Sequence, residues 1–207
     1  MQITVFGASG KVGRLIVAQG LRRGYTIVAF VHAQSPFEPS AQLIIRKGDV
    51  YNARDVAEAI RGSQAVVSCL GSWHTRGKDV LSRFVVSIVP AMREQNIARI
   101  VTLTGVGVQQ KPSWLYRAAM RSLPLVPVAG KVFADADRHV QLLVRSGLQW
   151  TTICSPVMNA GNKAGYVLRH HQGLPLPRVT RTAVAAAMLD QLTATDHIAE
   201  AVSVHHR

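Results

Sequence analysis

The first feature with chemical meaning is a group of three glycines near the start of the chain. Gly7, Gly10 and Gly13 lie in the stretch GASGKVG, directly after the short apolar run Ile3 to Phe6. A strand that turns through glycines into a helix exposes backbone N–H groups at the positive end of the helix dipole, where anions bind. Glycines there permit a tight turn and the close approach of a pyrophosphate. The pattern therefore predicts a dinucleotide-phosphate loop formed by Gly7, Ser9, Gly10, Lys11, Val12, Gly13 and Arg14.

The spacing of these glycines leaves a simpler interpretation open. It is G-x-x-G-x-x-G rather than the G-x-G-x-x-G of the main dinucleotide fingerprint, and three glycines alone can form a structural turn. The context favours nucleotide binding, because a strand precedes the loop, a helix follows it and further strand and helix units come after.

The residues after the second predicted strand bear on the choice of coenzyme. Enzymes that use NAD usually place Asp or Glu about 20 residues beyond the glycines, against the ribose 2′-hydroxyl. Here the chain reads VAFVHAQ, with His32 in this region and no carboxylate before Glu38. Since an acid would repel a 2′-phosphate, its absence favours NADP(H) over NAD(H), with Arg14 and His32 as cationic contacts. An ordinary surface histidine is the alternative for His32.

Alternating apolar runs and helical patterns supply the framework for this loop. Short apolar runs rich in β-branched residues are typical of strands covered on both faces. Between them, apolar residues recur at helical spacing, as in Val12, Leu15 and Ile16. Such repeated units predict an α/β Rossmann fold, a doubly wound and mostly parallel sheet, in a single domain over residues 1–207. The predicted strands are Ile3 to Phe6, Thr26 to Val31, Gln42 to Ile45, Ala65 to Leu70, Ile100 to Leu103, Thr151 to Cys154 and Ala199 to His205; the predicted helices include one capped by Asn52 and ended by Gly62, Lys78 to Gln95, and Arg181 to Leu192.

Two segments rich in proline and glycine interrupt this pattern, at residues 105–130 and 155–178. Ligands of doubly wound sheets bind outside the carboxyl ends of the strands, where both segments emerge. We therefore predict that they are substrate loops. Candidate contacts for a planar substrate, for which packing within the loops is the alternative, are Trp73, His74, Trp114 and Tyr116.

Composition narrows the class of protein and its partners. The 24 Lys and Arg against 11 Asp and Glu give a formal net charge of +13, which attracts anions such as nucleotide phosphates. The basic residues are scattered, so a nucleic-acid partner is not favoured. No apolar run approaches the roughly 20 residues of a membrane span, and the early glycines leave no room for a secretory leader. We expect a cytoplasmic protein without a membrane partner, and we identify no metal-ligand motif.

The two cysteines, Cys69 and Cys154, both lie in apolar runs. We expect buried free thiols, which behave as small hydrophobic groups. The alternative is a reactive thiol at Cys69, because this residue lies at the end of its predicted strand.

Five motifs together resemble a known group of proteins: GASGKVGR at the start, KGDV at 47–50, VVSCLGS at 66–72, RIVTLTGVGV at 99–108 and RSGLQWTTICSPVMN at 145–159. In their order and spacing the chain is similar, over nearly its whole length, to the atypical short-chain dehydrogenase/reductases. It most resembles the NmrA-like and NAD(P)H-binding subgroup, which includes flavin reductase/biliverdin reductase B and bacterial quinone and NADH-flavin reductases.

The resemblance implies roles for further residues along the cofactor. It assigns adenine recognition to Asp49 and Val50, and the backbone lining the riboses to Cys69, Leu70 and Gly71. It places Thr104 near the nicotinamide, as the candidate catalytic residue, and Pro156 and Val157 against the carboxamide. Asp49 could instead cap a turn, and the Thr104 hydroxyl could instead bond only to the backbone.

The chain also departs from the family pattern. Catalytic short-chain dehydrogenases protonate the developing alkoxide with a Tyr whose pKa is lowered by Lys four positions later. No tyrosine of this chain has that partner, which disfavours a sugar epimerase or an alcohol dehydrogenase. Hydride transfer to a flavin or quinone does not need the dyad, because water can supply the proton. In addition, His32 stands where relatives often carry Arg, and Gly105 stands where they often carry a second hydroxyl residue.

These observations lead to two hypotheses about function. The first is an NAD(P)H-dependent reductase that passes a hydride to a flavin, such as FMN or FAD as substrate, to a quinone or to a similar planar acceptor. The second is a non-catalytic NmrA-like regulator that senses NAD(P) and binds a protein partner. Acceptor-dependent oxidation of the nucleotide separates the two. The sequence leaves the oligomeric state open.

Overall fold

The strands of the protein join into one main sheet, here described from a computed structural model over residues 1–75, 77–105, 127–170 and 178–207. The strands are β1 (Gln2–Phe6), β2 (Thr26–Val31), β3 (Leu43–Lys47), β4 (Ala65–Ser68), β5 (Arg99–Gly105), β6 (Gln149–Ser155), β7 (Met158–Asn159), β8 (Tyr166–His170), β9 (Val179–Thr180) and β10 (Glu200–His206). Within these ranges the main sheet has the order β3-β2-β1-β4-β5-β6-β10-β8, and β7 pairs with β9 separately. Neighbours in the main sheet are parallel except β10 with β8. The predicted doubly wound, mostly parallel sheet is confirmed.

Two of the helices begin at a residue whose side chain caps a free N–H group, and the predicted cap at Asn52 is one of them. The Asn52 side chain accepts a hydrogen bond from the Arg54 N–H at 3.0 Å, and Gly62 follows the helix with a φ of +77°. Among the described residues, no helix combines the length and the apolar character needed to cross a bilayer. The helices are α1 (Lys11–Arg22), α2 (Ala53–Ala59), α3 (Val80–Glu94), α4 (Pro127–Val144) and α5 (Arg181–Asp190), with a short 3-10 turn at Ser72–His74.

Two hydrophobic layers cover the two faces of the main sheet. Successive side chains of a strand point to opposite faces, so Val5 contributes to one layer and Phe6 to the other. The first layer packs α1 and α5 on the sheet, and the second packs α2, α3 and α4 on it. Burial on both faces explains why these strands are apolar without alternation. The carboxyl ends of the parallel strands are left at one edge, where their loops emerge.

Regular structure occurs inside both segments that the sequence predicts as loops. α4 begins at Pro127, within residues 105–130, and proline suits the first turn of a helix because its missing N–H would be unpaired there. β8 lies within residues 155–178 and pairs antiparallel with β10 at the edge of the sheet. Its residues Tyr166 to Leu168 are only half-buried, so it lacks the apolar character of the central strands.

Candidate functional site

The loop between β1 and α1 has the geometry of an anion site. Gly7 has a φ of +75°, in the left-handed region that favours glycine, and its carbonyl accepts a hydrogen bond from the Gly10 N–H at 3.0 Å. Gly10 is the N-cap of α1, and no side chain among the described residues caps this helix. The N–H groups of its first turn are therefore open to a bound anion, which fits a dinucleotide phosphate.

The three glycines of this loop are required for different physical reasons. A Cβ at Gly13 would lie 2.1 Å from the carbonyl oxygen of Gly7, and a Cβ at Gly7 would lie 3.0 Å from the carbonyl of Cys69. A Cβ at Gly10 would meet only the Gly7 oxygen, at 3.2 Å, and Gly10 is exposed. Packing thus requires glycine at 7 and 13, whereas position 10 faces the solvent side of the loop.

The remaining loop residues contribute in different ways. Ser9, Lys11 and Arg14 are exposed, so their side chains can reach a bound anion. The Arg14 side chain lies back along the loop, because its Nε donates to the Ser9 carbonyl at 2.9 Å. Val12 is only 7% exposed, and it can therefore serve the site only through its backbone.

The carboxyl ends of β2 and β3 are neighbours in the sheet, because Val31 of β2 pairs with Lys47 of β3. Both strands lie on the side of β1 that is away from β4. His32 is exposed just beyond β2, and Val50 is half-buried beyond β3. Asp49 Oδ1 accepts a hydrogen bond from the Tyr51 N–H at 2.9 Å. The turn-capping alternative for Asp49 is therefore observed, and an adenine contact by this residue stays a prediction.

Two buried hydroxyls lie near the carboxyl ends of the neighbouring strands β4 and β5. Thr104 is 6% exposed and Ser68 is 1% exposed. Among the described residues, neither Thr104 Oγ1 nor Ser68 Oγ has a hydrogen-bond partner. The alternative for Thr104 was a hydroxyl bonded only to the backbone, and no such bond is present within the described residues. An unpaired buried hydroxyl is costly, so both groups fit a site whose ligand completes their hydrogen bonding.

The segments after β4 and β6 bring exposed apolar side chains to the same edge of the sheet. Trp73, in the 3-10 turn after β4, is 52% exposed, and Val157, after β6, is 66% exposed. Pro156 beside it is buried, while Leu70 is half-buried and Gly71 is exposed. The side chain of His74, and Trp114 and Tyr116 entirely, lie outside the described residues. Their predicted contacts with a substrate remain predictions.

A buried carboxylate supports the turn that carries Trp73, and the sequence analysis did not identify it. Asp135 of α4 is 5% exposed and accepts hydrogen bonds from the N–H groups of Leu81, at 3.0 Å, and Ser82, at 2.9 Å. It also accepts one from the Ser72 hydroxyl. Asp135 therefore caps α3 from a different helix and fixes the segment that follows β4.

A second buried group lies four residues further along the same face of α4. The His139 ring is fully buried, and burial lowers its pKa to about 4, so the ring is neutral near pH 7. Its Nδ1 donates to the Leu81 carbonyl at 3.3 Å, and its Nε2 accepts from the Thr102 hydroxyl at 2.9 Å. The inward face of α4 thus carries two structural groups, Asp135 and His139. The chain as a whole has no Tyr-x-x-x-Lys pair.

Both cysteine thiols are expected to resist alkylation in the folded protein. Burial raises the pKa of each thiol to about 12, and Cys69 Sγ donates to the Phe6 carbonyl at 3.1 Å. The thiolate that reacts is therefore scarce near neutral pH. Mass spectrometry after iodoacetamide treatment should find Cys69 and Cys154 unmodified until the chain is denatured. Rapid labelling of Cys69 in the native protein would instead identify it as the reactive thiol.

The fold and this loop define a dinucleotide-binding protein of the Rossmann type, and comparison with known proteins agrees. The family model described as NAD(P)H-binding matches residues 7–195, and this protein belongs to that family. The predicted NAD(P)H-binding family and the predicted class of cofactor, a nicotinamide dinucleotide, are thereby confirmed.

Similar proteins of known structure share the fold at low identity. A short-chain dehydrogenase/reductase from Veillonella parvula DSM 2008, in complex with NADP, has a TM-score of 0.75 at 21% identity, with 99% of this chain and 94% of that chain covered. ChuY, an anaerobillin reductase from Escherichia coli O157:H7, has a TM-score of 0.78 at 19% identity, with 99% of this chain and 96% of that chain covered.

A further relative is similar in sequence over part of the chain. The isoflavone reductase homolog IRL of Zea mays is 31% identical over 81 residues, which are 34% of this chain and only 26% of the maize protein.

Proposed function

We propose that this protein is an NAD(P)H-dependent reductase that passes a hydride to a flavin, a quinone or a similar planar acceptor. The observation that carries the proposal is the succession of features along one edge of the sheet. The uncapped start of α1 comes first, the unpaired hydroxyls of Ser68 and Thr104 follow on β4 and β5, and the exposed side chains of Trp73 and Val157 flank them. A nucleotide anchored at α1 and extended over β4 and β5 would place its nicotinamide beside an apolar surface suited to a flat acceptor.

The residues of the chain have distinct tasks in this proposal. The reduced nicotinamide, when bound, supplies the hydride. The loop Gly7 to Gly13 holds the pyrophosphate through backbone N–H groups, and the hydroxyls of Ser68 and Thr104 orient the nicotinamide end. Because the chain has no Tyr-x-x-x-Lys pair, water supplies the proton to the reduced flavin or quinone.

The names of two similar proteins support the same class of reaction. ChuY is described as an anaerobillin reductase, and the maize protein as an isoflavone reductase homolog. Their acceptors are properties of those proteins. For this chain, a planar acceptor is inferred from the exposed side chains of Trp73 and Val157.

Replacing Thr104 with valine is expected to slow turnover without destabilising the fold. Valine has nearly the same shape, and the change removes a buried hydroxyl that has no partner among the described residues. We expect the melting temperature to stay the same or rise, while the turnover number falls about tenfold through lost orientation of the cofactor. Steady-state kinetics and thermal melting check the two effects. A turnover number equal to that of the wild type would remove Thr104 from the site.

NADP(H) is the proposed coenzyme because Arg14 is exposed on the glycine loop, and because the chain after β2 carries His32 and no carboxylate before Glu38. Arg14→Ala is expected to weaken NADPH binding about tenfold and NADH binding less, because only NADPH carries the 2′-phosphate to which the Arg14 guanidinium is proposed to bond. Fluorescence titration measures both affinities. Arg22→Ala, at the other end of α1 and also exposed, is the matched control and should change neither. Equal losses for both nucleotides would show that Arg14 does not contact a 2′-phosphate.

The proposed function is tested with the purified chain and both reduced nucleotides. Their oxidation is followed by absorbance with FMN, with a small quinone and without an acceptor, and each nucleotide is titrated for binding. Oxidation that depends on the acceptor establishes the reductase. Tight binding without oxidation favours the second candidate, a dinucleotide-sensing regulator with a protein partner, which the absence of the dyad also fits. No binding of either nucleotide would refute both.

A further inference from the structure

A group of metal-ligating side chains lies away from the dinucleotide site. His170 ends β8, Glu200 begins β10, and His197 lies in the segment just before β10. Since β10 runs parallel to β6, its first residue is at the amino edge of the sheet, opposite to the edge that carries the glycine loop. One ligand atom from each of the three side chains lies within 4.8 Å of the other two. The group thus forms a second polar centre on the molecule.

The distances within this group are close to those of a metal site. His197 Nδ1 is 2.9 Å from Glu200 Oε2, and His170 Nε2 is 4.0 Å from the same oxygen. Zinc holds nitrogen and oxygen ligands at about 2.0 to 2.2 Å, which separates tetrahedral ligand atoms by roughly 3.4 Å. The His170 side chain is 74% exposed, so it can rotate inward to reach that separation.

The backbone holds His197 beside Glu200 in an uncommon conformation. His197 has a φ of +65° and Ala199 a φ of +61°, both in the left-handed region. The His197 carbonyl accepts a hydrogen bond from the Thr151 hydroxyl at 2.8 Å, and the Ala199 N–H donates to the Trp150 carbonyl at 2.7 Å. Such strained residues persist where the surrounding structure over-determines them, and they concentrate at ligand sites.

The imidazole of His197 lies between two carboxylates. His197 Nδ1 is 2.9 Å from Glu200 Oε2, where the Nδ1–H donates to the carboxylate, and Asp196 Oδ2 lies 3.6 Å from Nε2 on the opposite side of the ring. A metal ion bound at Nδ1 would replace that proton, and the Nε2–H would then face the Asp196 carboxylate, as the second ring nitrogen of a metal-binding histidine commonly does.

We propose that His170, His197 and Glu200 bind one divalent transition-metal ion of the zinc type. The ligand atoms are His170 Nε2, His197 Nδ1 and the Glu200 carboxylate. Two imidazoles and one carboxylate suit zinc and its neighbours, whereas magnesium and calcium take oxygen ligands. His197 and Asp196 also line a cavity of about 590 Å³, which brings the His197 ring to the edge of a solvent-filled space. The ion would tie the end of β8, part of the second predicted substrate loop, to the start of β10.

The test is a calorimetric titration of the full chain, stripped with EDTA, with zinc chloride alone. The wild type should bind one zinc ion per chain, and His170→Ala and Glu200→Gln should each weaken binding about tenfold or more. Magnesium should not bind. The matched control His32→Ala removes an exposed histidine at the opposite edge of the sheet and should bind zinc as the wild type does. Cobalt absorption in the visible range reports the same site through its coordination geometry.

Two outcomes would overturn the proposal. One is unchanged zinc affinity in His170→Ala, which decides the matter alone because this exposed side chain can be removed without loss of the fold. The other is an equal loss in His32→Ala, which would mean dispersed binding by surface histidines. Thermal melting in EDTA, which should be the same for the wild type and His170→Ala, confirms that the comparison is made on folded protein.

Discussion

Replacing Gly10 with valine is expected to abolish NADPH binding while the chain still folds. The closest atom that a Cβ would meet is the Gly7 carbonyl oxygen, at 3.2 Å, so the loop needs to shift by only a few tenths of an ångström. The branched side chain would stand over the uncapped N–H groups of α1, where a phosphate must approach. The loss of a glycine N-cap costs about 1 kcal/mol at most. Fluorescence titration with NADPH, together with circular dichroism, measures binding and fold separately.

Two other glycines of the chain serve as controls for this variant. Gly13→Val should fail to fold, because a Cβ there would lie 2.1 Å from the Gly7 carbonyl oxygen. Gly130→Val, on α4, should fold and bind NADPH, since a Cβ there meets no atom of the described residues within 4 Å. A Gly10→Val protein that binds NADPH as the wild type does would mean that the phosphate site does not lie on this loop.

The central part of the fold follows from the sequence because burial on both faces leaves a strong signal. Runs such as Ile27 to Val31 are apolar throughout, and a sheet covered on both faces explains such short runs at regular intervals between helices. β8 lacks that signal, because it is a half-buried edge strand within a segment rich in glycine and proline. Its pairing with β10 depends on contacts between distant parts of the chain. Edge strands of this kind are therefore found only in the structure.

The residues of the candidate site likewise fall into two groups, those that a sequence pattern reveals and those that only the structure reveals. The glycine loop is recognisable because its spacing relative to a strand carries the information, whereas Thr104 is implied only by the family resemblance. Ser68 was not selected, since a serine within an apolar run has no pattern of its own until neighbouring strands show its hydroxyl unpaired. Asp135 is one acid in an amphipathic helix, and its role arises only because α4 packs against the start of α3. Roles that depend on an approach between distant elements are thus absent from the local pattern.

Asp135 is expected to have a large effect on stability through its buried hydrogen bonds. Its two carboxylate oxygens accept three hydrogen bonds, from the Leu81 N–H, the Ser82 N–H and the Ser72 hydroxyl. Asparagine keeps the shape but replaces one oxygen with an amide nitrogen, which is itself a donor. At least one buried donor then loses its acceptor, and the charge opposite the start of α3 is lost as well.

Asp135→Asn is therefore expected to lower the free energy of unfolding by about 3 kcal/mol. The Ser72–His74 turn should loosen with it, so that NADPH binding weakens even in the folded fraction. Urea unfolding followed by tryptophan fluorescence, to which the buried Trp150 contributes, measures the first effect, and nucleotide titration measures the second. Glu58→Gln, which breaks only an exposed ion pair with Arg54, is the control and should change stability by less than about 0.5 kcal/mol. An Asp135→Asn protein with the wild-type unfolding midpoint would show that this carboxylate does not stabilise α3.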